Sequence, residues 1–154
     1  MIELYAAYLE RLEALHNDLN RVIADLPVEA LNWSPGPEMN SLAVLATHTA
    51  GAERYWIGDV VARDDSQRDR AAEFRAQAVS AQALIDRLDT ALAHSRGVLE
   101  QLNLATLDEK RLAPRGGDEV TVAWALTHAL EHTAIHLGHM QIVRQLWTQR
   151  QSDK

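Results

Sequence analysis

Four long segments of the chain repeat apolar residues with the period of an α-helix, and this pattern limits the fold more than any other feature. In the first segment, Leu9, Leu12, Leu15 and Leu19 recur at spacings of three or four residues, with charged residues between them. The pattern predicts helices near residues 2–26, 41–62, 80–102 and 121–149. The first helix is expected to stop at Pro27, because proline breaks a helix interior.

The predicted helix starts carry residues that cap helices well. Ser41 or Asn40 can cap the second helix, Ser80 the third and Thr121 the fourth. Residues 27–40 and 103–120 are expected to be long links, and residues 63–79 a charged surface connector with one helical turn at residues 71–75. Connections of this length favour an all-α four-helix bundle with a non-trivial topology.

Length and charge narrow the class of protein further. The chain has 154 residues, which fits one domain covering residues 1–154. A net charge of −7 argues against nucleic-acid binding. The longest uncharged stretch, residues 39–52, is too short to span a bilayer. We therefore expect a cytoplasmic protein without nucleic-acid or membrane partners. It has no cysteine, which excludes disulfides, thiolate metal sites and a cysteine nucleophile.

The fourth segment carries little charge for a helix of its length. Within residues 122–150 its only charges are Glu131, Arg144 and Arg150, and it also carries Trp124 and Trp147. One small bundle is not expected to cover such a helix fully. The sequence therefore predicts a homodimer.

Four histidines of the same segment share one helix face. At 100° per residue, His128, His132, His136 and His139 span about 80°. Histidines at i and i+4 can direct ring nitrogens to one point, as a divalent metal ion requires, and both the 128/132 and the 132/136 pairs have this spacing. A third ligand would have to come from another helix, and His48 on the second helix is the natural candidate.

Other interpretations of the histidines have to be set against a metal site. Most isolated His-x-x-x-His pairs bind nothing, and such histidines are often hydrogen-bonded core residues. Four imidazoles on one buried face would, however, be costly as mere filling. His16 and His94 stand apart and are expected to be surface or structural residues, so that replacing either should change neither metal affinity nor thermal stability.

Two familiar metal motifs are absent from the fourth segment. A zincin motif needs Glu directly after the first histidine, and Thr133 follows His132. A di-iron bundle needs Glu three residues before the histidine, where Ala129 stands. Glu53, on the helix of His48, is the candidate catalytic acid or base, or a further ligand.

Two segments resemble the DinB-like (DinB/YfiT-type) family of metal-binding bundles. WALTHALEHTAIHLGHMQIVRQL is similar to the family's last helix, with its pattern H-x-x-x-H-x-x-x-H-x-G-[QH], and SLAVLATHTAGAERYWIGDVV is similar to its second helix. The resemblance implies a four-helix bundle, often dimeric, whose metal ion is held by His48, His132 and His136. His128 and His139 would then flank the site. The resemblance, not the spacing, selects the 132/136 pair.

The resemblance also implies a range of activities on small-molecule substrates. Relatives include isomerases and S-transferases that use a low-molecular-weight thiol. Three neutral imidazoles leave an open position on Zn²⁺, Ni²⁺ or Fe²⁺, and affinity should fall as pH drops through about 6.5. Two hypotheses follow: a metal-dependent S-transferase or isomerase using a low-molecular-weight thiol, and a non-catalytic metal-binding dimeric protein.

Overall fold

A computed structural model, which describes residues 1–153, confirms the predicted four-helix bundle. Its long helices are α1 (Glu3–Ile23), α3 (Leu42–Glu53), α5 (Ala81–Gln101) and α6 (Val122–Ser152). The shorter elements are α2 (Val28–Asn32), the π-helix Arg54–Ala62 that continues α3, α4 (Arg70–Glu73), a 3₁₀ turn (Leu104–Asp108), β1 (Lys110–Leu112) and β2 (Glu119–Thr121). The strands pair antiparallel, with Arg111 opposite Val120.

The three predicted helix caps are confirmed. The side-chain oxygens of Ser41, Ser80 and Thr121 accept hydrogen bonds from the backbone N–H three residues later, at 3.2, 3.0 and 3.1 Å. Each cap satisfies an N–H group that would otherwise lack an intrahelical partner. The helices that carry the histidines therefore begin where local chemistry sets them.

Some predicted elements were wrong in detail. Residues 41–62 do not form one α-helix, because the chain widens into the π-helix after Glu53. Residues 27–40 contain α2, which buries Ala30 and Leu31 completely. Residues 103–120 hold the 3₁₀ turn and most of a hairpin whose turn includes Gly117 at φ +72°. Elements of three to five residues are too short to show a reliable period in the sequence.

The order of the helices around the bundle explains the long connections. α1 packs against α5 and α6, and α3 packs against the same two helices. α1 and α3 therefore occupy opposite corners, as do α5 and α6, so the links α1–α3 and α5–α6 cross an end of the bundle, whereas α3 and α5 are neighbours. The Tyr8 hydroxyl donates to the Leu126 carbonyl, and Arg144 donates to the Val22 carbonyl, so α1 and α6 run parallel.

A polar group interrupts the apolar core where α1, α3 and α5 meet. His16 is 1% exposed, and its Nε2 lies 2.5 Å from Oε2 of Glu53, which is also 1% exposed. Ser95 donates to Oε1 of the same carboxylate at 2.7 Å. His16 was expected to be either a surface or a structural residue, and its burial shows that it is structural. This burial argues against the expectation that His16 can be replaced without loss of stability.

Burial on α6 is uneven. Trp147 is only 6% exposed and packs against Trp33, with ring centroids 5.5 Å apart, which corrects the expectation that one bundle leaves it uncovered. Trp124 is 47% exposed, and Ile135 and Ile142 are each 50% exposed. Within residues 1–153, no helix combines the length and the apolar character that crossing a membrane requires.

Candidate metal centre

Three histidines from two neighbouring helices converge at one point. His48 of α3 and His132 and His136 of α6 each offer one ring nitrogen, and these nitrogens lie within 4.8 Å of one another. The i, i+4 spacing places the two α6 imidazoles one above the other, and their Nε2 atoms are 3.2 Å apart. His48 faces both rings, with centroids 5.0 Å from each.

The chemistry and spacing of this donor set fit a divalent metal ion. Two nitrogen ligands on a tetrahedral Zn²⁺, at about 2.05 Å each, are roughly 3.3 Å apart, close to the spacing of the two α6 nitrogens. Imidazole also suits nickel and iron. Three neutral ligands leave at least one position open, which is typical of catalytic sites.

The surroundings keep the α6 imidazoles neutral, the form that binds a metal. Burial, then His136 and His48, lower the pKa of His132 from 6.5 to about 3. Burial, then His48 and His139, lower the pKa of His136 to about 4. Protons should therefore compete with a metal ion at lower pH than the 6.5 expected from the sequence.

Sequence reasoning missed two residues that contact the site from the charged connector. Oε2 of Glu73 lies 2.8 Å from Nδ1 of His48, and Arg68 donates to both oxygens of Glu73, at 2.6 and 2.8 Å. Burial alone would raise the pKa of Glu73, but the hydrogen bonds from Arg68 and His48 outweigh it and hold that pKa below its usual value. The high charge of residues 63–79 had indicated a solvated surface; an acidic residue at the end of a short helix gave no sign of burial.

The other histidines of the α6 face lie beside the convergent three. His128 stacks on Trp124, with centroids 4.8 Å apart and planes 9° apart, and its ring is also 4.8 Å from that of Trp56. Nδ1 of His139 lies 3.3 Å from Nδ1 of His136. His128 thus joins an aromatic group at one end of the site, and His139 contacts a candidate ligand from the solvent side.

Glu53, the candidate acid or base, is not brought to the three histidines. Both of its oxygens are engaged in the core by His16 and Ser95. His94 also lies elsewhere, with Nε2 2.8 Å from Asp64.

A cavity of about 1090 Å³ opens between α3, α5 and the connector. Its lining includes Thr47, Gly51, Arg54, Arg68 and Glu73. Since Glu73 and Arg68 also contact His48, these two side chains connect the cavity wall with the metal centre.

The sequence matches the model of the Mycothiol-S-transferase family over residues 7–149. The chain belongs to this family. The resemblance to DinB-like bundles is also confirmed by similar solved structures. No curated protein matches the sequence at a significant level.

Three solved structures share the fold of this member of the mycothiol S-transferase family. A conserved protein from Enterococcus faecalis is 20% identical, with a TM-score of 0.80, covering 95% of this chain and 98% of its own. YfiT from Bacillus subtilis, described as a probable metal-dependent hydrolase with an unusual four-helix bundle topology, is 13% identical, with a TM-score of 0.75 and coverage of 94% and 88%. A DinB-like protein of Bacillus subtilis is 17% identical, with a TM-score of 0.67 and coverage of 90% of each chain.

Proposed function

We propose that this protein binds one divalent metal ion through His48, His132 and His136 and uses it to transfer a low-molecular-weight thiol to a small electrophile. The product would be a thioether, or a rearranged substrate if the thiol leaves again, as in an isomerase. The name of the family favours mycothiol as the thiol.

The convergence of three imidazoles in a chain without cysteine carries this proposal. A divalent ion at this point would supply Lewis acidity that lowers the pKa of a thiol or water beside it. Because the chain has no thiol of its own, the sulfur nucleophile has to come from a cosubstrate. In the transfer, a sulfur–carbon bond forms, the leaving group departs with its electron pair, and the thiol proton passes to solvent.

The residues around the site are suited to orienting reactants rather than to moving protons. Glu53 is held in the core and Glu73 is paired with Arg68, so neither carboxylate is free to act on a substrate. Trp56 and Trp124 provide an aromatic wall next to His128, with ring centroids 5.3 Å apart. The chemistry would therefore depend mainly on the metal ion and on positioning.

The test compares metal content and thioether formation in three proteins. Purified wild type, His136→Ala and His94→Ala are analysed for bound zinc, nickel and iron, and then assayed with mycothiol and monobromobimane. We expect about one ion per chain and turnover in the wild type and in His94→Ala, and loss of both in His136→Ala. Full stoichiometric metal in His136→Ala would show that the ligand assignment is wrong.

Two alternative functions can be tested with the same purified proteins. The description of the YfiT neighbour favours hydrolysis, in which water replaces the thiol as nucleophile; turnover of an ester or amide without any thiol would support it. The engagement of Glu53 by His16 and Ser95, and of Glu73 by Arg68, favours a non-catalytic metal-binding protein. One ion per chain without turnover of any thiol or ester would support that alternative.

The cellular setting of the proposed reaction follows from its chemistry. We expect the protein to act in the cytoplasm, where low-molecular-weight thiols stay reduced. We also propose that it is a homodimer whose interface uses the exposed face of α6, where Ile135 and Ile142 lie two turns apart. That face includes Glu131 as its one acidic residue.

A further inference from the structure

His48 is held by a side chain that comes from a different part of the chain. Glu73 lies at the end of α4, the short helix whose start Asp69 caps by accepting a hydrogen bond from Ala72 N–H at 3.0 Å. Both partners are buried, with side-chain exposures of 8% for His48 and 7% for Glu73. A buried hydrogen bond to a carboxylate fixes which ring nitrogen of a histidine carries the proton.

The Glu73 carboxylate is itself held in place. Arg68 donates from Nε to Oε1 and from a terminal nitrogen to Oε2, in a bidentate pair that fixes the plane of the carboxylate. The guanidinium is as buried as its partner, at 8% of its side-chain surface. Of the two oxygens, only Oε2 reaches His48.

A glycine on α3 makes room for this arrangement. A Cβ atom at position 51 would lie 2.1 Å from Oε1 of Glu73 and 2.8 Å from its Cδ. Any other residue at Gly51 would therefore displace the carboxylate or the helix. The glycine is otherwise unfavourable within a helix, so the close approach of Glu73 gives a reason for its presence.

We propose that Glu73 is a positioning residue for the metal centre, accepting a hydrogen bond from Nδ1–H of His48 so that Nε2 is free to meet His132 and His136. Arg68 and Gly51 act through Glu73, the first by clamping its carboxylate and the second by leaving space for it. Outer-shell carboxylates of this kind orient a ligand and raise its basicity. The inference rests on the proposed metal site.

The experiment measures Zn²⁺ affinity by competition with a chromophoric chelator. We expect Glu73→Gln to bind zinc about 10- to 100-fold more weakly than the wild type. The Co²⁺-substituted variant should show an altered d–d absorption spectrum, because His48 is no longer held in the same orientation. Unchanged zinc affinity and an unchanged cobalt spectrum in Glu73→Gln would overturn the inference.

Glu53→Gln is a matched control, since Glu53 is also a buried carboxylate paired with a histidine, but outside the site. It should lower thermal stability and leave zinc affinity within about twofold of the wild type. Equal losses of zinc affinity in both variants would show a general structural effect and overturn the positioning role.

Gly51→Ala provides a second test if Glu73→Gln does not fold. Alanine favours the helix, yet its methyl group would collide with the Glu73 carboxylate. Weaker zinc binding in a folded Gly51→Ala protein supports the inference, and unchanged affinity contradicts it. If the folded wild type binds no zinc, the proposed function is wrong. If the wild type binds zinc and the folded variants bind it with the same affinity, only the positioning role of Glu73 is wrong.

Discussion

At the scale of single residues, the bundle contains two buried histidine–carboxylate pairs that lie in different surroundings. The pair of His48 and Glu73 lies next to the imidazoles of α6, whereas the pair of His16 and Glu53 is enclosed in the core. His16 stands four residues after Leu12 and three before Leu19 on the apolar face of α1, a signal of burial, but it was expected only to be a surface or structural residue, and its pairing with Glu53 was not predicted. A histidine in a core stripe is therefore expected to have a buried partner.

Replacement of His16 should destabilise the protein. His16→Ala leaves one oxygen of the buried Glu53 without its partner and opens a small cavity, so we expect a loss of about 3 kcal/mol in the free energy of unfolding. Urea unfolding of the metal-free protein measures it. His94→Ala is the control, since its partly exposed pair with Asp64 should contribute no more than about 1 kcal/mol. Equal stability of wild type and His16→Ala would contradict the structural role.

The metal-free protein should lose stability as the pH falls from 6.5 towards 4.5. The pKa values of His132 and His136 are lower in the folded protein than their ordinary value of 6.5, so the unfolded chain binds protons that the folded chain excludes. His48, His128, Arg68 and His139 face these two rings and disfavour their charged forms.

Urea unfolding at pH 7 and pH 5 measures this dependence. In the double variant His132→Gln/His136→Gln, the free energy of unfolding should differ less between the two pH values. This variant lacks the two side chains that bind protons in the unfolded chain but not in the folded protein. The measurements stay above pH 4.5 because the lowered pKa of Glu73 also reduces the free energy of unfolding, but only at lower pH. A wild type as stable at pH 5 as at pH 7 would refute the argument.

At the scale of elements, regular helices carry the ligands while irregular segments complete the site. The apolar period and the capping residues predict where α3, α5 and α6 begin to within a few residues, and the i, i+4 spacing predicts that neighbouring α6 histidines can act together. The spacing alone leaves the 128/132 pair open; the structure brings 132 and 136 to His48 instead. Glu73 was not predictable, because its burial depends on a tertiary contact with Gly51 and Arg68 and not on a local pattern.

Removal of the cap of α3 should weaken the helix that carries His48. Ser41→Ala deletes the acceptor for Val44 N–H in a buried position, and we expect a loss of about 1 kcal/mol in the free energy of unfolding. Chemical denaturation gives the value. Ser152→Ala, at the exposed end of α6, is the control and should stay within about 0.5 kcal/mol of the wild type. Equal effects of the two variants would argue against the cap.

At the scale of the whole molecule, the order of the helices separates the faces of α6. One face packs against α1 and α3, and the opposite one exposes Ile135 and Ile142. The low charge of this segment is therefore explained only in part by burial in the bundle, because the exposed face of α6 also carries few charged residues. A dimer would cover this exposed face.

A dimer through α6 should dissociate when charge is placed on its exposed face. Ile135→Glu/Ile142→Glu adds two like charges to each protomer, which would be brought together in a symmetric interface. Sedimentation at micromolar concentration should show a dimer for the wild type and a monomer for the variant. Leu4→Glu, at an equally exposed position on α1, should remain dimeric. A wild-type monomer would contradict the proposed dimer.

The position of the histidine cluster has a consequence for the life of the protein in a cell. α3 and α6 are spatial neighbours, but α4, α5 and the hairpin lie between them in the chain. An ion bound by α3 and α6 would cross-link segments that are distant in the sequence and lower the population of the partly unfolded forms that proteases cut. When the metal is scarce this cross-link is missing, and we expect the protein to be degraded faster. Cellular abundance of the protein would then follow the supply of its metal, even where its synthesis does not change.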